Sequence, residues 1–299
     1  MYKCRAPKNQ AELEQYYHLR WQALRKPFQQ PIGSEKDDLE AQSYHRIIVD
    51  DMDSIVGVGR LHKYSQDQAQ IRYMAISHDR QGKGLGQLLI SELENLAAQA
   101  GVKSIELNAR ANAIGFYQQL GYVNKGFSHT LYGEISHDKM TKAIAKPDGH
   151  LVKVAENLQQ TWHQTIPLSK VMNINICYFD RQSLITNCEP HINKNLHNTM
   201  FAGSIYTLAT LTGWAWVYLS LQAEAQEANI VLAEGEIRYI APLAGIAHAQ
   251  TSLNLVTGSA QALVNGKNAR FNIDVEVCCG DKVVALFTGS YVALAKRKS

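Results

Sequence analysis

The chain has 299 residues, 45% hydrophobic and 19% charged, with a formal net charge of +3. This excludes a disordered chain and makes two soluble domains the expectation. The positive surplus lies in residues 1–146, where 19 Lys and Arg stand against 16 Asp and Glu, and it is too small to indicate nucleic-acid binding. Five cysteines, an odd number with no CxxC pair, point to neither a disulfide framework nor a metal site and fit a reducing compartment. Lys3, Arg5 and Lys8 are followed by no apolar segment, so no secretory signal is read and the cytoplasm is the expected location. The Lys296-Arg297-Lys298 tail reads as a solvated terminus.

Residues 11–26 predict a helix, with Leu13, Tyr16, Tyr17, Trp21 and Leu24 at helical spacing and Pro27 as its stop. An acidic loop, 34–41, carries Glu35, Asp37, Asp38 and Glu40. Strands are expected over 45–49 and 54–61, parted by the acidic turn Asp50-Asp51-Met52-Asp53, and again over 70–77. Next comes Arg80-Gln81-Gly82-Lys83-Gly84-Leu85-Gly86, followed by a helix over 87–100 that Gly101 closes. A glycine-rich turn between strand and helix can hold an anion on the helix's unpaired N–H groups, with Arg80 and Lys83 adding charge. Spacing alone leaves an ordinary turn equally open. A strand over 102–108, a short helix over 113–120 closed by Gly121, and strands over 122–127 and 130–140 follow. Pro147-Asp148-Gly149 is turn chemistry and marks a domain boundary, giving domains 1–146 and 147–299.

The second half predicts a helix over 151–163 and strands over 171–179 and 183–187. From Asn195 to Ala223 there is no Asp, Glu, Lys or Arg. The run 200–221 is long enough for a membrane span. Its Gly, Ser and Thr content, the lack of a flanking basic cluster and the strand-rich surroundings favour instead a soluble helix buried on nearly all sides. Strands over 230–232, 236–240, 248–256, 261–264, 270–278 and 283–294 complete the chain, so an antiparallel sheet wrapped round one apolar helix is expected.

Residues 1–146 resemble the GNAT acetyltransferases, through Gln81-Gly82-Lys83-Gly84-Leu85-Gly86 between strand and helix and then Asn112, Phe116-Tyr117 and Gly121-Tyr122. The resemblance implies a mixed sheet with a V-shaped splay that takes acetyl-CoA, or another acyl-CoA, as co-substrate. The strand Met74, Ala75, Ile76 would bond the pantetheine arm, and the N–H groups from Gln81 to Gln87 would hold the pyrophosphate. Asn112 would contact the cofactor arm, and Tyr117 would protonate the leaving thiolate. Read from spacing alone, Tyr117 is a packing aromatic beside Phe116. For the general base, Asp79, Glu106 and water stand level.

Residues 147–299 resemble the hotdog fold, an antiparallel sheet wrapped round a central helix. They are most similar to the thioesterase-like domain fused to a GNAT domain in bacterial proteins of the YiiD type. The stretch Asn195-Leu196-His197-Asn198-Thr199-Met200 leading into the apolar helix carries this likeness. It implies chemistry on acyl thioesters of CoA or acyl carrier protein at a homodimer interface. Asn195 would hold the acyl group, and His197, Asn198 and Thr199 are further catalytic candidates. Asn198 and Thr199 are equally good helix caps. With Glu189 the nearest upstream carboxylate, hydrolysis is less well provided for than decarboxylation of malonyl-acyl carrier protein, a reaction associated with the fusion family. An amide-lined pocket suits that step, because a buried carboxylate would repel the substrate's own. The expected whole is a bifunctional α+β enzyme of acyl-thioester metabolism in fatty-acid synthesis initiation. The alternative is an acetyltransferase whose hotdog half only dimerises or senses acyl groups.

Overall fold

The structure is a computed structural model that describes residues 2–144 and 149–295. The chain divides into two compact units, Met1–Ala98 with Val102–Lys146, and Gln99–Gly101 with Pro147–Ser299. The expected boundary at 146/147, its Pro147-Asp148 turn and the basic tail all lie outside the described residues. No helix among the described residues is long and apolar enough to cross a membrane.

The first unit contains β1 (Lys3–Arg5), α1 (Gln10–Leu24), β2 (Tyr44–Val49), β3 (Ile55–Lys63), β4 (Gln68–Ile76) and α2 (Leu85–Gln99). β5 (Ser104–Arg110), α3 (Ile114–Gln119), β6 (Val123–Leu131) and β7 (Ile135–Ala143) complete it. Asn9 caps α1 by accepting a hydrogen bond from the Glu12 N–H at 3.0 Å. The sheet runs β1-β2-β3-β4-β5-β7-β6. Among the described residues only the β4–β5 pair of this sheet is parallel, and it holds for three residue pairs, Gln68–Ser104 to Gln70–Glu106. Beyond Gln70 the two strands part, which produces the expected V. Successive residues of β3 face opposite sides of the sheet. Val58 packs with Tyr16 of α1, Ile47 and Ala75 on one side. Gly59 on the other has no side chain, which lets Leu89 and Leu93 of α2 close in.

The expected strand over 130–140 is cut by the turn Tyr132-Gly133-Glu134, with Tyr132 and Gly133 both at positive φ. The acidic loop does not spread its charges into solvent. Asp37 and Glu40 turn inward onto Arg20 and Arg60, both fully buried.

The second unit contains α4 (His150–Thr165), α5 (Pro167–Val171), β8 (Asn175–Phe179), β9 (Ser183–Asn187), α6 (Ala202–Ala223), β10 (Ala228–Tyr239) and β11 (Ala247–Ser252). β12 (Val256–Gly258), α7 (Gln261–Val264), β13 (Ala269–Cys279) and β14 (Lys282–Ala295) follow. Its sheet is antiparallel throughout, ordered β10-β14-β13-β11-β9-β8, with β12 beside β13. It curves round α6, which packs on β9, β10, β11, β13 and β14.

Three expectations are corrected here. Pro167 starts a one-turn helix, so the strand expected from 171 begins only at Asn175. The two short strands at 230–232 and 236–240 are one strand, β10, with a bulge between Leu232 and Glu234. The segment 261–264 is the short helix α7, not a strand.

α6 tolerates the fully buried Thr212 because its hydroxyl is partnered, whereas the buried Thr210 hydroxyl has no partner among the described residues. Thr212 donates to Leu208 O at 2.7 Å and meets the Thr186 hydroxyl at 2.7 Å. The close approach of β14 depends on Gly213, since the Tyr291 ring and hydroxyl occupy the space a Cβ would need. The same hydroxyl donates to Thr210 O at 2.8 Å. Gly213→Ala is therefore expected to destabilise the protein by about 1–3 kcal/mol through overpacking. Gly115→Ala, whose added methyl meets nothing within 4 Å, serves as the control. Equal urea midpoints for the two variants would show that the contact does not matter.

Candidate functional site

The glycine loop takes the form its composition predicts. Gly82 and Gly84 both have φ of 75°, a region closed to most side chains but open to glycine. α2 starts at Leu85, two residues earlier than expected. The first helix amide to find a carbonyl is Leu88 N–H, which reaches Gly84 O at 3.1 Å. The amides of Leu85, Gly86 and Gln87 therefore form the unpaired donor set at the positive end of a 15-residue helix. Gly86 faces the Phe116 ring, and an added Cβ would lie 3.2 Å from it. Arg80 does not present a free charge, because Asp50 and Asp79 pair with it at 3.4 and 3.3 Å. Lys83 is exposed. Gln81 Nε2 donates to Ile76 O at 3.3 Å and ties the loop to the end of β4.

Beside this loop the V opens into a cavity of about 240 Å³. β4 contributes Ile71 to Met74, β5 contributes Leu107 to Arg110, and Ala113 and Tyr117 lie on the same wall. Leu24 and Arg25 from the end of α1, with His129, Leu131 and His137 from β6 and β7, complete the lining. β4 is bulged where it lines the cavity: its register with β3 shifts between Val58 and Arg60, and Tyr73 sits at φ 57°. The Tyr73 ring lies under the Arg20 guanidinium at 3.4 Å, and its hydroxyl donates to Asp37 at 3.0 Å. An ion cluster thus holds the strained residue in place. Arg60 clamps Asp37 with both guanidinium nitrogens, at 2.5 and 2.8 Å. Arg20 and Arg60 share Glu40 at 2.6 and 2.7 Å.

The sequence-predicted residues of this half fall along the V. Met74, Ala75 and Ile76 end the splayed strand, and residues 81 to 87 form the turn and first helical turn. Asn112 is exposed in the short turn after β5. The Tyr117 hydroxyl is 3.8 Å from the Met74 sulfur. Burial pushes this phenol up to about 12, so it keeps its proton more tightly than an alkyl thiol at about 8.5. Tyr117 therefore holds a proton that it can present to a thiolate.

Neither carboxylate considered as base lines the cavity. Asp79 is 72% exposed and paired with Arg80, and Glu106 is held by Lys139 at 2.6 Å. The titratable side chains that do line it are Arg25, Arg72, Arg110, Tyr73, Tyr117, His129 and His137. Sequence reading singled out only Tyr117 among these. His137 Nδ1 lies 3.0 Å from Ile135 O, and a carbonyl can only accept, so the proton sits on Nδ1 and Nε2 is left bare. Burial holds this imidazole below its ordinary pKa, with His129, Arg110 and Arg25 adding to the effect. His129 stacks on it with ring centroids 4.9 Å apart.

In the second unit, Asn195 and Thr199 close a tight turn. Asn195 N–H donates to Thr199 O at 2.7 Å, and Asn195 Oδ1 accepts from His197 N–H at 2.8 Å. Asn195 Nδ2 donates to Thr199 Oγ1 at 3.0 Å. His197 and Asn198 are exposed, and Asn198 has φ of 57°. The helix-capping role open to Asn198 and Thr199 is not filled. α6 begins at Ala202 behind Phe201, with no side-chain cap, and the two residues brace the preceding turn instead. Glu189 accepts from its neighbour His191 N–H at 3.4 Å.

Comparison with known proteins agrees with this architecture. Residues 13–122 match the family described as "Acetyltransferase (GNAT) family", and residues 155–295 match "Putative thioesterase (yiiD_Cterm)". The chain belongs to both, as a GNAT acetyltransferase domain fused to a YiiD-type thioesterase domain of hotdog fold. Over 135 residues it is 29% identical to "Uncharacterized N-acetyltransferase YjcF" of Bacillus subtilis, covering 45% of this chain and 95% of that protein. "Uncharacterized protein YyaT" of the same organism is 33% identical over 112 residues, 38% of this chain and 74% of its own length. A crystal structure titled as a putative thioesterase from Shewanella oneidensis is 37% identical, covers 48% of this chain and 98% of its own, and has a TM-score of 0.44.

Proposed function

We propose that the chain is a bifunctional acyl-thioester enzyme, with domains at 1–146 and 147–299. In the first, acyl-CoA is the co-substrate of an acyl transfer to an amine. The observation that carries this reading is the pairing of the V with the unpaired amides of Leu85 to Gln87 at its edge. Residues 81–87 would hold the pyrophosphate, the edge of β4 at Met74, Ala75 and Ile76 the pantetheine amides, and Asn112 the cofactor arm. The amine nitrogen attacks the thioester carbonyl, the C–S bond breaks and the electron pair leaves on sulfur. His137 Nε2 is the bare base for the amine's proton. Tyr117 donates its proton to the departing thiolate, and solvent restores it.

In the second domain, an acyl or malonyl thioester of acyl carrier protein or CoA is processed at the turn 195–199 before α6, with Asn195, His197, Asn198 and Thr199 as its residues. Decarboxylation is favoured over hydrolysis, and the setting is a cytoplasmic homodimer in fatty-acid synthesis initiation. In support, the four residues carry no negative charge, and Asn195 Nδ2 makes one hydrogen bond with a second proton to spare. The use of Asn195 to brace the turn favours a second reading as well, a hotdog half that dimerises or senses acyl groups without chemistry.

The test uses the full chain with acetyl-CoA and an amine panel, and separately with malonyl-CoA and malonyl-acyl carrier protein, products being read by mass spectrometry. Tyr117→Phe should slow acyl transfer about 100-fold and leave malonyl turnover intact. Asn195→Ala should do the reverse. Malonyl substrates recovered unchanged from wild-type protein would leave the second reading.

A further inference from the structure

The cavity of the first unit has an unbalanced charge. Arg25, Arg72 and Arg110 line it, and among the described residues no Asp or Glu does. The carboxylates of the acidic segment 34–41 that turn toward the sheet are already engaged. Asp37 is held by Arg60, Arg72 and Tyr73, and Glu40 by Arg20 and Arg60. The Glu35 carboxylate accepts from Gly33 N–H at 2.7 Å.

Arg25 is only 9% exposed. Its hydrogen bonds go to neutral carbonyls, Nε to Ser34 O at 2.9 Å and Nη1 to Leu24 O at 3.2 Å. Arg110 is half-buried at the end of β5, and its contact is the face of Phe28 at 5.4 Å. Among the described residues neither arginine has a carboxylate within 4 Å. Phe28 stacks on Tyr132 at 5.7 Å, and Arg25 lies 6.0 Å over Tyr132, so two cations rest on one aromatic pair. The two also repel each other: Arg25 lowers the pKa of Arg110, second only to burial. Two partly desolvated guanidinium groups without a counter-charge are costly, and natural sites of this kind are completed by an anion. The guanidinium fork matches a planar oxyanion.

We propose that this end of the cavity seats a carboxylate borne by the small substrate, gripped by Arg110 with Arg25 behind it. The proposal rests on the acyl-transfer reading of the same cavity and adds the substrate class. The carboxylate has two possible carriers, the acceptor amine or the far end of a dicarboxylic acyl group. A cavity of about 240 Å³ admits either at the size of a small amino or dicarboxylic acid.

The experiment uses the full chain. In one arm acetyl-CoA is offered amino acids bearing a side-chain or terminal carboxylate, each beside its neutral carboxamide, and thiol release is followed. In the other, malonyl-CoA and succinyl-CoA compete with acetyl-CoA for a fixed neutral amine. One arm should show a preference for the acidic member, which identifies the carrier. Arg110→Ala should raise KM for that substrate about 10- to 100-fold, the loss of a charge-assisted contact. KM for its neutral counterpart should stay within about twofold. Arg110→Lys should recover part of the loss, which a merely structural role would not give.

Calorimetric titration of succinate into wild-type and Arg110→Ala protein tests the seat without turnover. If no thiol is released with any pair but succinate binds only to wild type, the acyl-transfer reading fails and the carboxylate seat stands. Equal use of acidic and neutral substrates in both arms, or succinate binding unchanged by Arg110→Ala, overturns the proposal.

Discussion

Arg60→Ala is expected to cost about 3–5 kcal/mol of stability, because it strips the counter-charge from carboxylates held inside the first unit. Arg60 is fully buried and bridges the acidic segment to the sheet through Asp37 and Glu40. Its removal leaves Asp37 with Arg72, Tyr73 and the Leu39 N–H, and Glu40 with only Arg20 among the arginines. Arg72→Ala is the control, since that side chain is 40% exposed and its pair with Asp37 is longer, at 3.2 Å. It should cost under about 1 kcal/mol. Urea denaturation of both variants decides the matter, and equal losses would mean that the buried clamp is worth no more than a surface pair.

The same cluster sets an acid limit. Burial, with Arg60 and Arg72 nearby, lowers His62 to about 4, below its unfolded value of about 6.5. A lowered folded pKa means that the unfolded chain takes up the proton first. Stability is therefore complete above about pH 6.5 and falls as pH drops toward 4. Below that range Asp37 repeats the pattern. Its carboxyl is held well below the ordinary range by Arg60 against an opposing effect of burial, so its contribution drains as pH falls under about 4. His62→Gln should flatten the first part of the curve, and Asp37→Asn the second.

Phe287→Ala should be comparably damaging in the second unit, at about 3–5 kcal/mol for a large side chain removed from a closed core. Phe287 is 1% exposed and meets Tyr206 of α6 edge-to-face, with ring centroids 5.3 Å apart. Gly235 on β10 and Gly289 on β14 each leave a gap that its ring fills. Neither glycine can relax into the space without moving its strand, so the void persists. Thermal unfolding followed by near-ultraviolet circular dichroism reads this directly. A melting temperature within about 2 °C of wild type would show that the core collapses around the deletion.

Much of this was legible in the sequence because local signals agreed with one another. The glycine pattern, the strand before it and the helix after it all pointed to one turn, and the two domain folds followed from element order and motif. What was not legible has a common cause. Tyr132-Gly133-Glu134 and the helix at Gln261 lie inside runs whose apolar content mimics a strand, and only tertiary packing separates the two. The acidic segment reads only as a charged loop because its arginine partners are 20 or more positions away. The cavity's polar lining drew least notice of all. Arg25, Arg110, His129 and His137 come from four separate elements, each ordinary in its own surroundings, and only the closing of the sheet brings them to one place.

The short parallel contact between β4 and β5 has a mechanical consequence. Three residue pairs weld a four-stranded leaf, β1 to β4, to a three-stranded one, β5, β7 and β6. Past the weld, each leaf presents a raw edge to the other, with backbone donors and acceptors that no neighbouring strand meets. A ligand arm carrying amide groups, slid into that fork, would serve as a borrowed strand. The sheet would then be stitched along its whole height only while the ligand is present.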